Sequence, residues 1–206
     1  MKKIPTLFIR EFEPDNSHKF TITDTVTPGF EFVLHKESEC VPTVKYDGSA
    51  CAIIDGQFYK RYDAKKGKPV PDGAIKCQKE PDPITGHLPC WVRCDRNNPA
   101  DKWYWEALDN TKTLWGTDNT TYEAMGPHFQ GNPSKMQRDR LIPHGIDVIY
   151  ELRGKDLTFG MILEWLYNHE EEGIVWWKDG RPICKIKRTD FGFSWPIRRG
   201  ENNGND

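Results

Sequence analysis

Two Asp-Gly dipeptides, Asp55-Gly56 and Asp179-Gly180, constrain this chain more than any other feature, because each sits between β-rich arms. An Asp-Gly pair supplies two adjoining residues that tolerate positive φ, as a two-residue hairpin loop requires. The first hairpin runs out along Ala50-Cys51-Ala52-Ile53-Ile54 and back along Gln57-Phe58-Tyr59-Lys60-Arg61-Tyr62. The second runs from Gly173 to Lys178 and returns from Arg181 to Lys187. With Asp179 and Gly180 as the only loop residues, Ile174 faces Lys185 and Glu172 faces Lys187. Side chains alternate with period two, so Glu172, Lys185 and Lys187 converge on one face with Ile174 between them. A cross-strand Glu–Lys pair alone is worth about 0.2–1 kcal/mol as surface stabilisation. A second lysine on that face adds repulsion unless an anion sits between the ammonium groups.

Just before the first hairpin lies Pro42-Thr43-Val44-Lys45-Tyr46-Asp47-Gly48-Ser49-Ala50-Cys51, a polar kink in an otherwise apolar, β-like run. A lysine at such a bend can point its amine into a cleft, with Gly48 giving the backbone freedom to turn. Lys-x-Asp-Gly also describes any exposed turn, so the kink gains meaning only beside the second hairpin. The first hairpin returns the chain next to Lys45 and brings Arg61 near it.

The remaining segments read as follows. Ile4 to Arg10, Phe20 to Val26 and Phe30 to Leu34 are strands, with a polar turn at Pro14 to Ser17 and a break at Pro28-Gly29. Residues 63–100, rich in Pro, Gly, Asp and Lys, form a long irregular excursion. Asp101 to Leu108 is a short helix with Trp105 and Leu108 on one packing side. Thr120 to Met125 is a strand ended by Gly126-Pro127, and Glu123 on its own reads as solvent-facing. Ile146 to Tyr150 is a further strand. Thr158 opens a helix whose Phe159, Ile162, Leu163 and Leu166 form one apolar stripe.

Composition sets outer limits. A chain of 206 residues buries one core and has room for a second small lobe. The formal net charge of −2 excludes a polycation, so any nucleic-acid contact is local. The basic stretches are Lys60 to Lys68 and Lys185 to Arg199. The first reads by default as a solvated loop, with contact to a nucleic-acid backbone as the alternative. No apolar run approaches the roughly 20 residues of a membrane helix. The start Met1-Lys2-Lys3-Ile4-Pro5 lacks a signal-peptide core, which places the expected site of action in the cytoplasm. Six scattered cysteines then read as reduced thiols. Zinc held by Cys77, His87, Cys90 and Cys94 is the alternative, weakened by the lack of a second tight pair. Eight tryptophans suit either a thick β core or base-stacking surfaces.

There is no Gly-x4-Gly-Lys-Ser/Thr loop, no Gly-x-Ser-x-Gly elbow and no His-Glu-x-x-His. What remains is lysine as nucleophile. Lys45-Tyr46-Asp47-Gly48, Glu172-Gly173-Ile174-Val175 and Lys185-Ile186-Lys187, in that order, resemble the first, fourth and fifth motifs of the covalent nucleotidyltransferases, the DNA and RNA ligases and mRNA capping enzymes. Tyr122-Glu123-Ala124-Met125-Gly126-Pro127-His128-Phe129-Gln130-Gly131-Asn132-Pro133 resembles the third motif as RNA ligases carry it. Phe58-Tyr59-Lys60-Arg61 resembles their arginine-bearing segment. The likeness spans about Thr43 to Lys187 and is closest to small single-domain 5'-to-3' RNA ligases.

The resemblance implies an α+β fold of two antiparallel sheets with flanking helices around a nucleotide-binding cleft, an ATP-grasp-like nucleotidyltransferase domain. It would occupy residues 1–193, with a flexible tail at 194–206. Nineteen residues follow Lys187, fewer than an OB-fold domain needs, and this favours the RNA-ligase branch. The implied activity joins an RNA 5'-phosphate to a 3'-hydroxyl end at the expense of ATP. Lys45 becomes adenylated and carries AMP, and Lys185 and Lys187 stabilise charge on the α-phosphate while lowering the pKa of Lys45. Glu172 contacts the hydration shell of Mg2+ or Mn2+, or the adenylated lysine. Glu123 holds the ribose and Arg61 a phosphate, and Thr43 and Val44 line the nucleotide site beside Lys45. His144 either stacks on the base or is a structural loop histidine. Many ligases carry a glutamate two residues before the nucleophile where this chain has Thr43, which leaves the choice between ATP and GTP open. Two rivals stand beside the ligase: an mRNA capping guanylyltransferase, and an RNA- or nucleotide-binding module without catalysis.

Overall fold

The computed structural model describes residues 1–14, 16–111 and 120–197. In chain order its elements are strands β1 (Phe8–Glu13), β2 (Asn16–Val26), β3 (Val41–Lys45), β4 (Ser49–Ile54), β5 (Gln57–Ala64), β6 (Ile75–Lys76) and β7 (Leu88–Arg93). Helix α1 (Lys102–Asn110), strands β8 (Thr120–Met125) and β9 (Arg140–Pro143), helix α2 (Phe159–Asn168), and strands β10 (Gly173–Lys178) and β11 (Arg181–Lys187) follow. The architecture is α+β, with antiparallel sheets and few helices. Among the described residues there are three sheets rather than the two expected, of two, three and six strands. No helix among them is long and apolar enough to cross a membrane.

The chain divides into two compact units, the first formed by Met1–Lys3 with Asp47–His144 and the second by Ile4–Tyr46 with the segment from Gly145 on. The first is built on the six-stranded sheet in the order β6-β7-β5-β4-β8-β9. Cys51, Phe58, Tyr122, Ala124 and Leu141 are buried with Cys94 and Ala107, and the α1 side chains Trp103, Tyr104, Trp105 and Leu108 pack on them. The first hairpin closes as expected, Ile54 opposite Gln57 and Cys51 opposite Lys60. The excursion at 63–100 is more regular than its composition suggests. Apolar Leu88 to Val92 forms a strand paired with β5, and β6 adds a two-residue edge. Pro89 within β7 cannot donate, yet its carbonyl accepts the Cys77 amide at 2.9 Å.

The second unit holds the three-stranded sheet β11-β10-β3 and the hairpin β1-β2. Ile174, Trp176, Cys184 and Ile186 alternate onto one face of β10 and β11, where α2 contributes buried Ile162, Trp165 and Leu166. Thr158 caps α2 by accepting the Met161 amide at 3.2 Å, as the sequence signal indicates. Three local expectations change here. The first strand begins at Phe8, because Pro5 to Leu7 hydrogen-bond beside Lys185 of β11 instead. Phe30 to Leu34 forms no strand: Glu31–Leu34 is a 3-10 turn following the tight turn at Gly29, with i→i+3 bonds from Val33 to Phe30 and from His35 to Phe32. Ile146 to Tyr150 makes a single bridge, Val148 to Thr43, before the backbone bonds of Leu152 and Arg153 to Ile149 turn it away. The polar turn at Pro14 to Ser17 falls partly, and the tail at 194–206 mostly, outside the described residues.

Candidate active site: three lysines around one buried glutamate

β10 lies between β3 and β11, so three strands deliver side chains to one sheet face. The turn pairs Lys178 with Arg181 and Trp177 with Pro182 as expected, but the register then slips by one, placing Trp176 opposite Cys184 and Gly173 opposite Lys187. The extra residue is Ile183, next to Pro182, which has no amide proton to continue the ladder. The expected pairings of Ile174 with Lys185 and Glu172 with Lys187 are therefore corrected. Ile174 faces Ile186 on one side and Val44 on the other, inside the core. On the opposite face Lys45, Gly173 and Lys187 form one cross-strand row, and Thr43, Val175 and Lys185 form the next.

Glu172 immediately precedes β10, where its carbonyl accepts the Arg188 amide at 2.9 Å. Its side chain is 4% exposed and enters the lysine face. One carboxylate oxygen accepts a hydrogen bond from Lys45 Nζ and the other from Lys187 Nζ, the latter at 2.6 Å. Lys45 Nζ also donates to the Tyr46 carbonyl at 3.2 Å. The glycine between Lys45 and Lys187 is required by space. A Cβ on Gly173 would lie 2.2 Å from the Ile186 carbonyl oxygen and 3.0 Å from the Lys187 Cα. Lys185 completes the group, and among the described residues no carboxylate pairs with it. Burial, and then the charges of Lys45 and Lys187, lower its pKa to about 8. Three amines thus share one acid, a surplus of positive charge that an anion would offset.

Thr43 is buried, with its hydroxyl donating to the Val175 carbonyl at 3.1 Å. Val44 turns its side chain to the core, and its amide donates to the Asp147 carbonyl at 2.9 Å. Next to this, the Tyr46 hydroxyl donates to Asp147, and burial together with that acid pushes the phenol pKa up.

Arg61, Glu123 and His144 belong to the first unit. Arg61 pairs with Asp63 at 2.5 Å and donates to the Met1 carbonyl at 2.8 Å. Glu123 is not solvent-facing. One of its oxygens accepts the Gly48 amide at 3.1 Å, and the other contacts His144 Nε2 at 2.8 Å. His144 Nδ1 reaches the Thr121 hydroxyl at 3.0 Å, so the histidine is tied on both sides. Gly48 serves here through its lack of a side chain, since a Cβ would stand 2.2 Å from the Ala124 carbonyl oxygen. Of the stretch 60–68, Lys60 lies in β5 and is withdrawn into an ion pair with buried Asp101, while Lys65, Lys66 and Lys68 beyond the strand are exposed.

All six cysteines are free, and no group of three or more His, Cys, Asp or Glu among the described residues is arranged to hold a metal. Glu172 does not fit a divalent ion in this arrangement either, since both its oxygens accept from ammonium groups. Residues the sequence did not single out also converge on the cluster. Asp190, three positions after Lys187, accepts the Lys187 amide at 2.8 Å, and Arg10 pairs with Asp190. The spacing from Lys187 to Asp190 is that of a side-chain cap, a signal available in the sequence. No family model matches the chain, and no curated protein matches it.

Proposed function

We propose that this protein is an ATP-dependent RNA ligase built on a nucleotidyltransferase-type fold, with Lys45 as its nucleophile. The observation that carries the reading is the Glu172 carboxylate bridging the amines of Lys45 and Lys187, with Lys185 on the same sheet face. The order and spacing of the three motifs supports the same conclusion.

Lys45, as free amine, attacks the α-phosphorus of ATP. A P–N bond forms, the bond to pyrophosphate breaks, and the amine proton passes to solvent. Glu172 orients the amine by its hydrogen bond to Nζ, and Lys185 and Lys187 offset charge on the α-phosphate oxygens and the departing pyrophosphate. An RNA 5'-phosphate oxygen then displaces Lys45 from the adenylyl phosphorus. Finally a 3'-hydroxyl attacks that 5'-phosphate and expels AMP, closing the phosphodiester. A divalent cation would be held by the substrate phosphates rather than by Glu172, and would supply further charge for the departing pyrophosphate. Arg61, Glu123 and His144 lie in the other unit, and the chemical step above does not draw on them.

The test is incubation with ATP or GTP labelled at the α-phosphate, followed by denaturing electrophoresis. Label from ATP travelling with the protein is expected. Label from GTP alone would favour capping chemistry, and none from either would leave a binding module.

A further inference from the structure

The strand that carries Lys185 and Lys187 is held from the side by the N-terminal segment of the same unit. The Lys185 amide donates to the Pro5 carbonyl at 2.9 Å, and the Leu7 amide donates to the Lys185 carbonyl at 2.8 Å. Farther along, β1 places Arg10 at Asp190, with the guanidinium 4.5 Å from the centre of the Phe20 ring. Asp190 is 1% exposed. One of its oxygens takes the Arg10 guanidinium and the other the Lys187 amide at 2.8 Å. The intervening Arg188 fixes the other side of the cluster: its amide holds the Glu172 carbonyl at 2.9 Å, and its buried guanidinium binds the Leu166 and His169 carbonyls behind α2.

Lys187 is thus clamped twice, at its ammonium by Glu172 and at its backbone by Asp190. A buried carboxylate is a costly way to cap one amide unless its charge is matched, and Arg10 supplies the match. We propose that Asp190, braced by Arg10, is a positioning residue that fixes Lys187 in the anion-binding face formed with Lys45 and Lys185. This rests on the ligase reading for its link to catalysis, though the clamp itself does not. Arg10 also belongs electrostatically to the site, since its charge is among those that lower the Lys185 pKa.

The experiment compares wild type with D190A, D190N and R10Q by three readouts. Amide exchange at Lys187 is followed by nuclear magnetic resonance against the α2 amides as internal control. Affinity for inorganic pyrophosphate is measured by calorimetry, and the adduct rate with ATP is split into maximal rate and half-saturation. In D190A the Lys187 amide should exchange about tenfold faster, as the loss of a charge-assisted hydrogen bond implies, with α2 unchanged. Pyrophosphate should bind more weakly and the maximal adduct rate should fall, while half-saturation for ATP changes much less. D190N keeps an acceptor oxygen and should recover most of both losses. If D190A does not fold, R10Q is read by Lys187 amide exchange alone, because losing the Arg10 charge also weakens pyrophosphate binding directly. Unchanged exchange at Lys187, or a freed amide with unchanged pyrophosphate affinity, overturns the proposal. Wild type that forms no adduct sinks the ligase reading alone, because exchange and pyrophosphate binding still decide the positioning role.

Discussion

Lys185 is a cation that the fold holds at a cost, and that cost can be measured. Its ordinary pKa of 10.5 drops to about 8, chiefly through burial and then through the charges of Lys45 and Lys187. At about 1.36 kcal/mol per pKa unit that gap corresponds to about 3 kcal/mol, and allowing for the solvent that reaches a partly buried side chain leaves about 1–3 kcal/mol. Lys185→Met keeps similar volume and a flexible aliphatic stem while removing the charge. At pH 7 the variant should therefore be more stable than wild type by about 1–3 kcal/mol in urea unfolding, and it should form adduct poorly. The sign with pH follows from proton counts. Between pH 8 and 10.5 the unfolded chain binds more protons at this position than the folded one, so wild-type stability rises with pH. The advantage of the variant is full below pH 8 and fades as pH climbs toward 10.5. A variant less stable than wild type at pH 7, or a gap that stays constant from pH 6 to 10, would refute the account of Lys185 as an unmatched cation.

Other perturbations test the rest of the cluster. Lys45→Ala should abolish nucleotide labelling while the protein remains folded by circular dichroism; persistent labelling removes Lys45 from its role. Glu172→Gln deletes the charge shared by Lys45 and Lys187, whose side chains are 19% and 31% exposed. It should cost about 1–3 kcal/mol in urea unfolding, below the cost of breaking a fully buried pair, and slow adduct formation; an unimpaired variant undoes the bridging argument. Gly173→Ala puts a methyl 2.2 Å from the Ile186 carbonyl oxygen, forcing β10 and β11 apart. A loss of about 1–3 kcal/mol is expected from such overpacking, and wild-type stability in the melting curve would contradict the close approach.

Much of the fold was legible because turn chemistry and periodicity agree locally. Asp55-Gly56 and Asp179-Gly180 both close hairpins, and the stripe after Thr158 is α2. What was not legible depended on distant partners. Phe30 to Leu34 has β composition but follows a tight turn and satisfies its backbone locally. Leu88 to Arg93 was hidden by surrounding Pro, Gly and Asp, and became a strand because β5 offers it an edge. Glu123 read as a surface acid because nothing local shows that the Gly48 amide and His144 meet it.

The second hairpin is the sharper case, because the site is right in membership and wrong in register. A one-residue slip normally carries a strand's whole set of side chains to the other face. Here the uninterrupted pairing set Ile174 against Lys185, an apolar core residue against a cation on a shared face, which the burial pattern does not allow. Ile174 and Trp176 on β10 need Ile186 and Cys184 on β11 as partners, and one extra residue beside Pro182 provides them. The same slip moves Lys185 and Lys187 into line with Val175 and Gly173, and so with Thr43 and Lys45 across β10. It also puts the residue without a side chain between the two lysines that must both reach Glu172. The bulge therefore serves core and cluster by a single displacement. Removing Ile183 alone would straighten the bulge and keep Lys185 opposite Val175, whereas removing Pro182 and Ile183 as a pair would set Lys185 opposite Trp176 and turn the lysines of β11 toward the core.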